Sequence, residues 1–191
     1  MWIVYVGVAV LVLVWVFSLY NGLVRLKNIA KAAWAQIDVQ LKRRHDLIPN
    51  LVETAKGYMK HESETLIGVV EARAKATSVQ VQVQEGDMSK VGELASAEGA
   101  LTSSLGRLLA SFEAYPDLKA NQNYLALQEE LTSTENRIGF ARQFYNDSVM
   151  KFNNRTEVFP TNVVAGVFNF KTAEFFELKE EAAREAPKVS F

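Results

Sequence analysis

The chain begins with a long apolar segment. No charged side chain precedes Arg25, and residues Trp2 to Leu19 read WIVYVGVAVLVLVWVFSL. A helix extended to Gly22 is roughly 33 Å long, which matches the ~30 Å hydrocarbon core of a bilayer. The segment has neither the basic start nor the small-residue cleavage site of a secretory signal peptide. It predicts an uncleaved transmembrane anchor over residues 1–24.

After the anchor, apolar residues recur at the three- and four-residue spacing that is typical of amphipathic helices. One such pattern runs from Leu26 to about Thr77, and Pro49 predicts a kink or break in it near Asp46 to Asn50. The following stretch, Val79 to Gln84, reads VQVQVQ and alternates as a strand does. No partner strand occurs elsewhere, so we interpret this stretch as an interhelical connection.

Two more long helices are predicted further along the chain. They run from about Ser89 to Tyr115 and from Leu118 to about Asn153. Their apolar residues form narrow stripes, similar to the seam of a coiled coil. Between them Pro116 ends the first helix, and Asp117 is a candidate cap for the second.

The C-terminal part predicts shorter elements. Pro160 is placed to start a short helix through Ala165, and an amphipathic helix is predicted from Thr172 to about Arg184. The fold class is therefore all-α: an antiparallel helical bundle of three long helices plus a shorter C-terminal helix, on one N-terminal transmembrane helix. We divide the chain into the anchor (1–24), the bundle (25–178) and a charged tail (179–191).

Composition and charge narrow the function. The 191 residues include no cysteine, which excludes disulfide frameworks, thiolate metal sites and cysteine nucleophiles. The formal net charge of −1 argues against a general nucleic-acid binder. Arg25, Lys27 and Lys31 follow the anchor before the first acid, Asp38. The positive-inside rule therefore predicts an outside N-terminus and a cytoplasmic bundle.

The histidines do not form a convincing reactive site. Neither His45 nor His61 belongs to a Glu-x-x-His pair, so the ligand set of a helical di-metal site is incomplete. Asp46 adjoins His45, but neighbouring residues on a helix point in different directions, and we interpret them as an exposed turn near Pro49. Phosphate-binding glycine loops and serine-nucleophile motifs are absent from the sequence. We predict no catalytic residue, no cofactor and no metal site.

A polar group on the third predicted helix is the main candidate for a specific role. Glu135 and Arg142 lie one heptad apart and so share a face. We interpret such groups as buried hydrogen-bonding residues that fix helix register, and the alternative is a ligand-sensing or metal-binding site. The candidate structural or interaction positions are Asp46, Asn50, Glu135, Asn136, Arg137, Arg142, Tyr145 and Asn146.

Self-association is a further prediction. An aromatic cluster near the C-terminus, consisting of Phe168, Phe170, Phe175 and Phe176, would form an apolar patch if exposed. Six basic residues lie between positions 25 and 44, and five acidic residues lie between positions 174 and 185. These regions would attract each other between subunits. The alternative is that the phenylalanines pack onto their own bundle and the charges are solvated.

Five stretches of the sequence carry a family resemblance. They are YNGLVRLKN (20–28), RRHDLIPNLVETAKGYMKHE (43–62), YPDLKANQNYLALQEELTSTENRI (115–138), ARQFYN (141–146) and FPTN (159–162). In this order, over nearly the whole chain, they resemble the LemA family of bacterial membrane proteins.

The resemblance implies a helical bundle on one membrane anchor, associated with the cell envelope and, in one branch, with magnetosome membranes. It implies no defined reaction and no catalytic residue to carry over. We therefore expect a scaffold or adaptor in the bacterial inner (cytoplasmic) membrane. Its expected partners are the lipid bilayer, further copies of the chain and other membrane proteins.

Overall fold

The computed structural model describes residues 1–59, 62–84 and 88–177. Within these ranges every regular element is helical, which confirms the predicted all-α fold. Short 3₁₀ turns flank the third helix on both sides. His61 and the predicted tail (179–191) lie outside the described residues. The helices are α1 (Trp2–Lys56), α2 (Ser63–Gln84), α3 (Val91–Ser111), α4 (Pro116–Lys119), α5 (Gln122–Glu157) and α6 (Thr161–Val167).

The chain forms two compact units. Among the described residues, unit 1 contains Met1–Ile37 and Phe140–Phe175, and unit 2 contains Asp38–Gly139 and residues 176–177. Helices α1 and α5 each contribute one part to each unit. The predicted boundary between anchor and bundle at residue 24 falls inside α1 and inside unit 1, and that division stays a prediction.

The helices of unit 2 pack in antiparallel pairs. Asp38 of α1 contacts Gln80 of α2, while His45, further along α1, contacts Arg73, which comes earlier in α2. Helices α2 and α3 contact each other and are joined by a short connection, so they also run antiparallel. The apolar core between these helices contains mainly aliphatic side chains. Its largest fully buried members include Ile48, Leu51, Met59, Leu101 and Phe112.

Pro49 predicts a kink or break in this helix. The break does not occur, because α1 continues through this residue to Lys56, and the kink stays a prediction. A proline in a helix lacks the N–H that would bond the carbonyl four residues earlier, which here belongs to His45. That carbonyl instead accepts a hydrogen bond from Arg73 Nε at 2.6 Å. A side chain of α2 thus supplies the missing donor. The helical pattern predicted to reach Thr77 ends at Lys56, and α2 begins at Ser63.

The interpretation of Val79 to Gln84 as a connection is wrong, since these residues form the last turns of α2. Val79 and Val83 are four residues apart, so they lie on the same face of a helix, and both are buried. The alternating valines are therefore compatible with a helix as well as with a strand. The glutamines are held from α1: Gln80 and Gln84 each donate to a carboxylate oxygen of Asp38, at 2.8 and 2.7 Å.

The third predicted long helix is α5, and its cap differs from the prediction. Asp117 lies inside the one-turn helix α4, which Pro116 starts. The side-chain oxygen of Asn121 accepts from the backbone N–H groups of Asn123 and Tyr124, at 2.9 and 3.2 Å. The Asn121 side chain therefore satisfies two of the free donors at the start of α5.

Unit 1 contains the apolar start of α1. The side chains of residues 2–15 are exposed, and α1 is long and apolar enough to cross a membrane. Burial begins in the last turns of the apolar segment, where Leu19 and Leu23 pack with Phe152 of α5. Val164 and Ala165 of α6, the short helix that the sequence predicts, also belong to this core.

The chain after α6 is not helical over residues 171–177, so the helix predicted from Thr172 is wrong for this part. Asn153 of α5 provides the physical reason. Its side-chain oxygen accepts from the N–H of Ala173, and its amide nitrogen donates to the carbonyl of the same residue, both at 2.9 Å. The backbone groups that a helix would use are therefore paired with a side chain.

Candidate functional site

A cluster of charged side chains lies inside unit 2. Arg44 of α1 is only 2% exposed and Glu98 of α3 only 1%. Arg44 Nη2 donates to Glu98, and Nη1 donates to Glu135 of α5 at 2.6 Å and to Thr102 of α3 at 3.1 Å. One guanidinium group thus joins three helices. We call Arg44, His45, Glu98 and Glu135 the buried charge cluster; its first three members are buried, and Glu135 lies half-exposed at its edge.

His45 extends this cluster to α2. Its Nε2 lies 2.9 Å from the second carboxylate oxygen of Glu98. Its Nδ1 lies 3.2 Å from the hydroxyl of Thr77, and its carbonyl oxygen accepts from Arg73. The side chain and backbone of one residue therefore connect α1 with both α2 and α3.

The electrostatics of Glu98 show how the cluster is stabilised. Burial acts to raise the pKa of Glu98, but hydrogen bonding and charge attraction from His45 and Arg44 outweigh burial and hold this pKa below its ordinary value. Removing ions from water costs several kcal/mol each, and only well-paired geometry offsets that cost. The cluster therefore favours the one helix arrangement in which its members meet.

The interpretation of His45 as part of an exposed turn is wrong, since His45 is buried, as is the neighbouring Arg44. The apolar stripe of α1 passes through Leu41 and Ile48, and positions 44 and 45 lie between them on the same face. Glu98 occupies the equivalent place on α3, between Leu94 and Leu101. The sequence contains a signal for this burial, because charged residues of opposite sign occupy positions within the apolar stripes of two predicted helices and can therefore pair.

A second polar arrangement lies in unit 1. The hydroxyl of Tyr145 donates to the carbonyl oxygen of Glu174 at 2.8 Å, and the Tyr145 ring lies 5.3 Å from that of Trp34, edge to face. Burial, together with the Glu174 charge, raises the pKa of Tyr145 to about 12. Tyr145 and Asn153 of α5 therefore hold the backbone at Ala173 and Glu174 in place.

The remaining predicted positions are placed less centrally. Asp46, Asn50, Asn136 and Arg137 are exposed, while Arg142 and Asn146 are half-buried. The structure thus brings Glu135 into the buried charge cluster and gives Tyr145 a buried partner. In the described parts of the chain, no three His, Asp or Glu side chains are arranged to share a metal ion.

An exposed aromatic pair lies on α5 in unit 1. Phe140 is 74% exposed and Phe144, one turn later, is 48% exposed. Residues four apart on a helix share a face, so the two rings form a continuous apolar surface. Tyr145 is buried against Trp34, which places the aromatic pair on the outer side of α5.

The sequence of the chain is similar to those of known proteins. The sequence model of the LemA family matches residues 33–191. "Protein LemA" of Metamycoplasma hominis is 31% identical over 84% of this chain and 69% of its own length. "Magnetosome protein MamQ 2" of Paramagnetospirillum magneticum is 27% identical over 90% of this chain and 68% of its own. "Magnetosome protein MamQ" of Magnetospirillum gryphiswaldense is 26% identical over the same shares. On the family match and the identity to a LemA protein, the chain belongs to the LemA family.

Proposed function

We propose that this chain is a single-pass, membrane-anchored scaffold of the bacterial cell envelope, which acts by self-association rather than by catalysis. The observation that carries the proposal is the exposed aromatic pair, Phe140 and Phe144, on a helix whose other face is buried. Exposed apolar surface on a folded domain marks interaction sites, and large aromatic side chains are frequent contact anchors.

The anchor part of the proposal rests on α1. Its apolar part has a mean hydropathy of 2.5 over eighteen residues, of which only 6% are buried. A core helix of a soluble protein would bury such a surface. The relatives named as magnetosome proteins give further support for a membrane setting.

The buried charge cluster supports a structural role for the polar residues. The guanidinium of Arg44 donates to side chains on two other helices, and Glu98 meets both Arg44 and His45. Groups that are paired with one another in this way hold the helices in register. The exposed residues of α5 are then the ones available to bind a partner.

Self-association is tested with the full-length protein in mild detergent by light scattering. We expect the native chain to exceed the mass of one protomer, and the double variant Phe140→Gln/Phe144→Gln to shift towards one protomer. Met150→Gln is the matched control, because Met150 is also an exposed apolar residue of α5. A native protein with the mass of one protomer would refute the proposal. An oligomer that survives the double variant would move the contact away from the aromatic pair.

The proposed topology places unit 2 in the cytoplasm of the cell, following the positive-inside rule for Arg25, Lys27 and Lys31. The natural chain has no cysteine, so Ala74→Cys on the exposed side of α2 introduces a single reporter. We expect a membrane-impermeant thiol reagent to label it only after the cells are permeabilised. Efficient labelling of intact cells would reverse the assignment.

A further inference from the structure

The segment around α6 exposes a second apolar surface. Residues 158–170 read VFPTNVVAGVFNF and include no charged side chain. We call this stretch the α6 segment. Phe159 is 77% exposed and Val167 is 76% exposed, and Val163 lies on the same side of the helix as Val167. Val158 and Phe168 are also more than half exposed.

The inner side of the α6 segment fixes its position along α1. Val164 and Ala165 pack in the same cluster as Leu19 and Leu23, and this cluster extends from Val16 to Leu26 of α1. The ten steps from Val16 to Leu26 correspond to about 15 Å of helix. The apolar part of α1 ends within that interval, since Arg25 is its first charge. The α6 segment therefore lies at the level where the candidate span ends.

The turn after α6 strengthens this attachment. Asn169 has a positive φ of 55°, and the N–H of Phe170 bonds to the carbonyl of Ala165 at 2.9 Å. This is a Schellman-type helix end, which reverses the chain after α6. The Phe168 and Phe170 rings then meet Tyr20 of α1, with centroids 4.7 and 5.7 Å from its ring. The exposed valines are thus held beside α1 by packing on both sides of the turn.

Basic residues border the α6 segment. Lys27 Nζ lies 5.8 Å from the centre of the Phe170 ring, and Lys171 directly follows the segment. Arg155, which is exposed, precedes it by three residues. Apolar and aromatic side chains beside cationic ones are the composition of protein surfaces that lie in the headgroup region of a membrane.

We infer that the α6 segment inserts its exposed side chains into the headgroup and upper acyl region of the bilayer, next to the transmembrane part of α1. The inference rests on the proposed anchor. Lipid is the occupant because the inner side of the α6 segment packs against the last turns of the apolar part of α1, and Lys27, which follows that part, lies beside Phe170 at the end of the α6 segment. The protein would then contact the membrane through two elements, α1 and the α6 segment. The second contact would limit how far unit 1 can tilt relative to the membrane plane.

The test uses single-cysteine variants of the full-length chain, labelled with the fluorophore NBD. The protein is reconstituted in vesicles of phosphatidylethanolamine and phosphatidylglycerol that carry nitroxide lipids, with the spin label either shallow or deep. Phe159→Cys and Val167→Cys probe the α6 segment, and Leu11→Cys probes the span. Ile67→Cys on α2 is the matched control, since Ile67 is an exposed apolar residue with Glu64 and Glu71 about one helical turn away on either side.

We expect the shallow quencher to reduce NBD emission about twofold at positions 159 and 167, with a blue-shifted spectrum, and the deep quencher to act most strongly at position 11. Position 67 should show neither effect. If position 11 is quenched while 159 and 167 are not, the anchor stands and the inference fails. A blue shift at 159 and 167 without lipid quenching would assign this surface to a protein contact and would also overturn it. If position 11 is not quenched, both the anchor and the inference fall.

Discussion

Replacing Glu98 with glutamine removes one charge from the buried charge cluster while keeping the shape of the side chain. Glu98 accepts from Arg44 on one oxygen and lies 2.9 Å from His45 Nε2 on the other. The variant leaves Arg44, which is 2% exposed, with Glu135 as its remaining carboxylate partner. Glu135 is half-exposed, so its interaction is partly screened by water.

The expected loss of stability follows from these contacts. Removing one partner of a buried ion pair typically costs 3–5 kcal/mol, because the other charge stays buried without compensation. Glu135 and Thr102 retain part of the compensation for Arg44. We therefore expect Glu98→Gln to lower the free energy of unfolding by about 3 kcal/mol, near the lower end of that range.

The assay is urea unfolding of the full-length protein in mild detergent, followed by circular dichroism at the helical band. Arg43→Gln is the matched control, because Arg43 adjoins Arg44 but pairs with Glu130 at the surface. An exposed pair of this kind contributes less than about 1 kcal/mol. Equal small losses for Glu98→Gln and Arg43→Gln would refute the structural role of the cluster.

The pH dependence of the same protein provides an independent measurement. The folded-state pKa of Glu98 lies below the ordinary value of 4.5, so its contribution to stability is present above that pH and is lost as the pH falls through the folded pKa. We expect Glu98→Gln to reduce the loss of stability on acidification below pH 4.5. An unchanged acid profile would contradict the pairing of this carboxylate.

Three other variants test the remaining tertiary contacts in the same unfolding assay. Arg73→Met should lower the free energy of unfolding by about 1–2 kcal/mol, and by less in a Pro49→Ala background, because the alanine restores the missing N–H. Equal losses in both backgrounds would show that Arg73 does not replace the hydrogen-bond donor that Pro49 lacks. The pKa of Tyr145 is raised from 10.0 to about 12, so the contribution of Tyr145 to stability is complete below pH 10 and is lost as the pH rises towards 12. Tyr145→Phe should abolish this alkaline loss, and an unchanged dependence of stability on pH would contradict the burial of the Tyr145 hydroxyl. Asn153→Ala should lower the free energy of unfolding by about 2 kcal/mol, because two hydrogen bonds are lost. The control Asn154→Ala, at the exposed neighbouring residue, should lower it by less than about 0.5 kcal/mol. Similar losses for the two variants would contradict the explanation given for the segment 171–177.

The sequence alone determined the helical character of the chain and the position of its apolar segment. Both are local properties, since the spacing of apolar residues and the run without charges before Arg25 are visible in a short window. The family assignment was likewise available from contiguous stretches. The short helix α6 and the long helices α3 and α5 also lie close to where their patterns placed them.

Local patterns were misleading where a distant residue supplied the decisive contact. Pro49 predicts a kink or break in an isolated helix, but α1 is not broken there, and Arg73 bonds the carbonyl that this proline leaves free. The VQVQVQ stretch fits a strand by alternation, but two of its glutamines, Gln80 and Gln84, bond to Asp38, more than forty residues earlier. The segment near Ala173 carries a helical pattern, but Asn153 occupies its backbone groups.

Only the tertiary structure decided which charged residues are buried. Arg44 and Glu98 are 54 positions apart, and Arg44 and Glu135 are 91 apart, so no local window contains both members of either pair. A charged side chain at a stripe position is stable in a core only when a partner of opposite charge reaches it. Helical periodicity sets which face a residue occupies, whereas the packing of separate helices sets whether its partner is there.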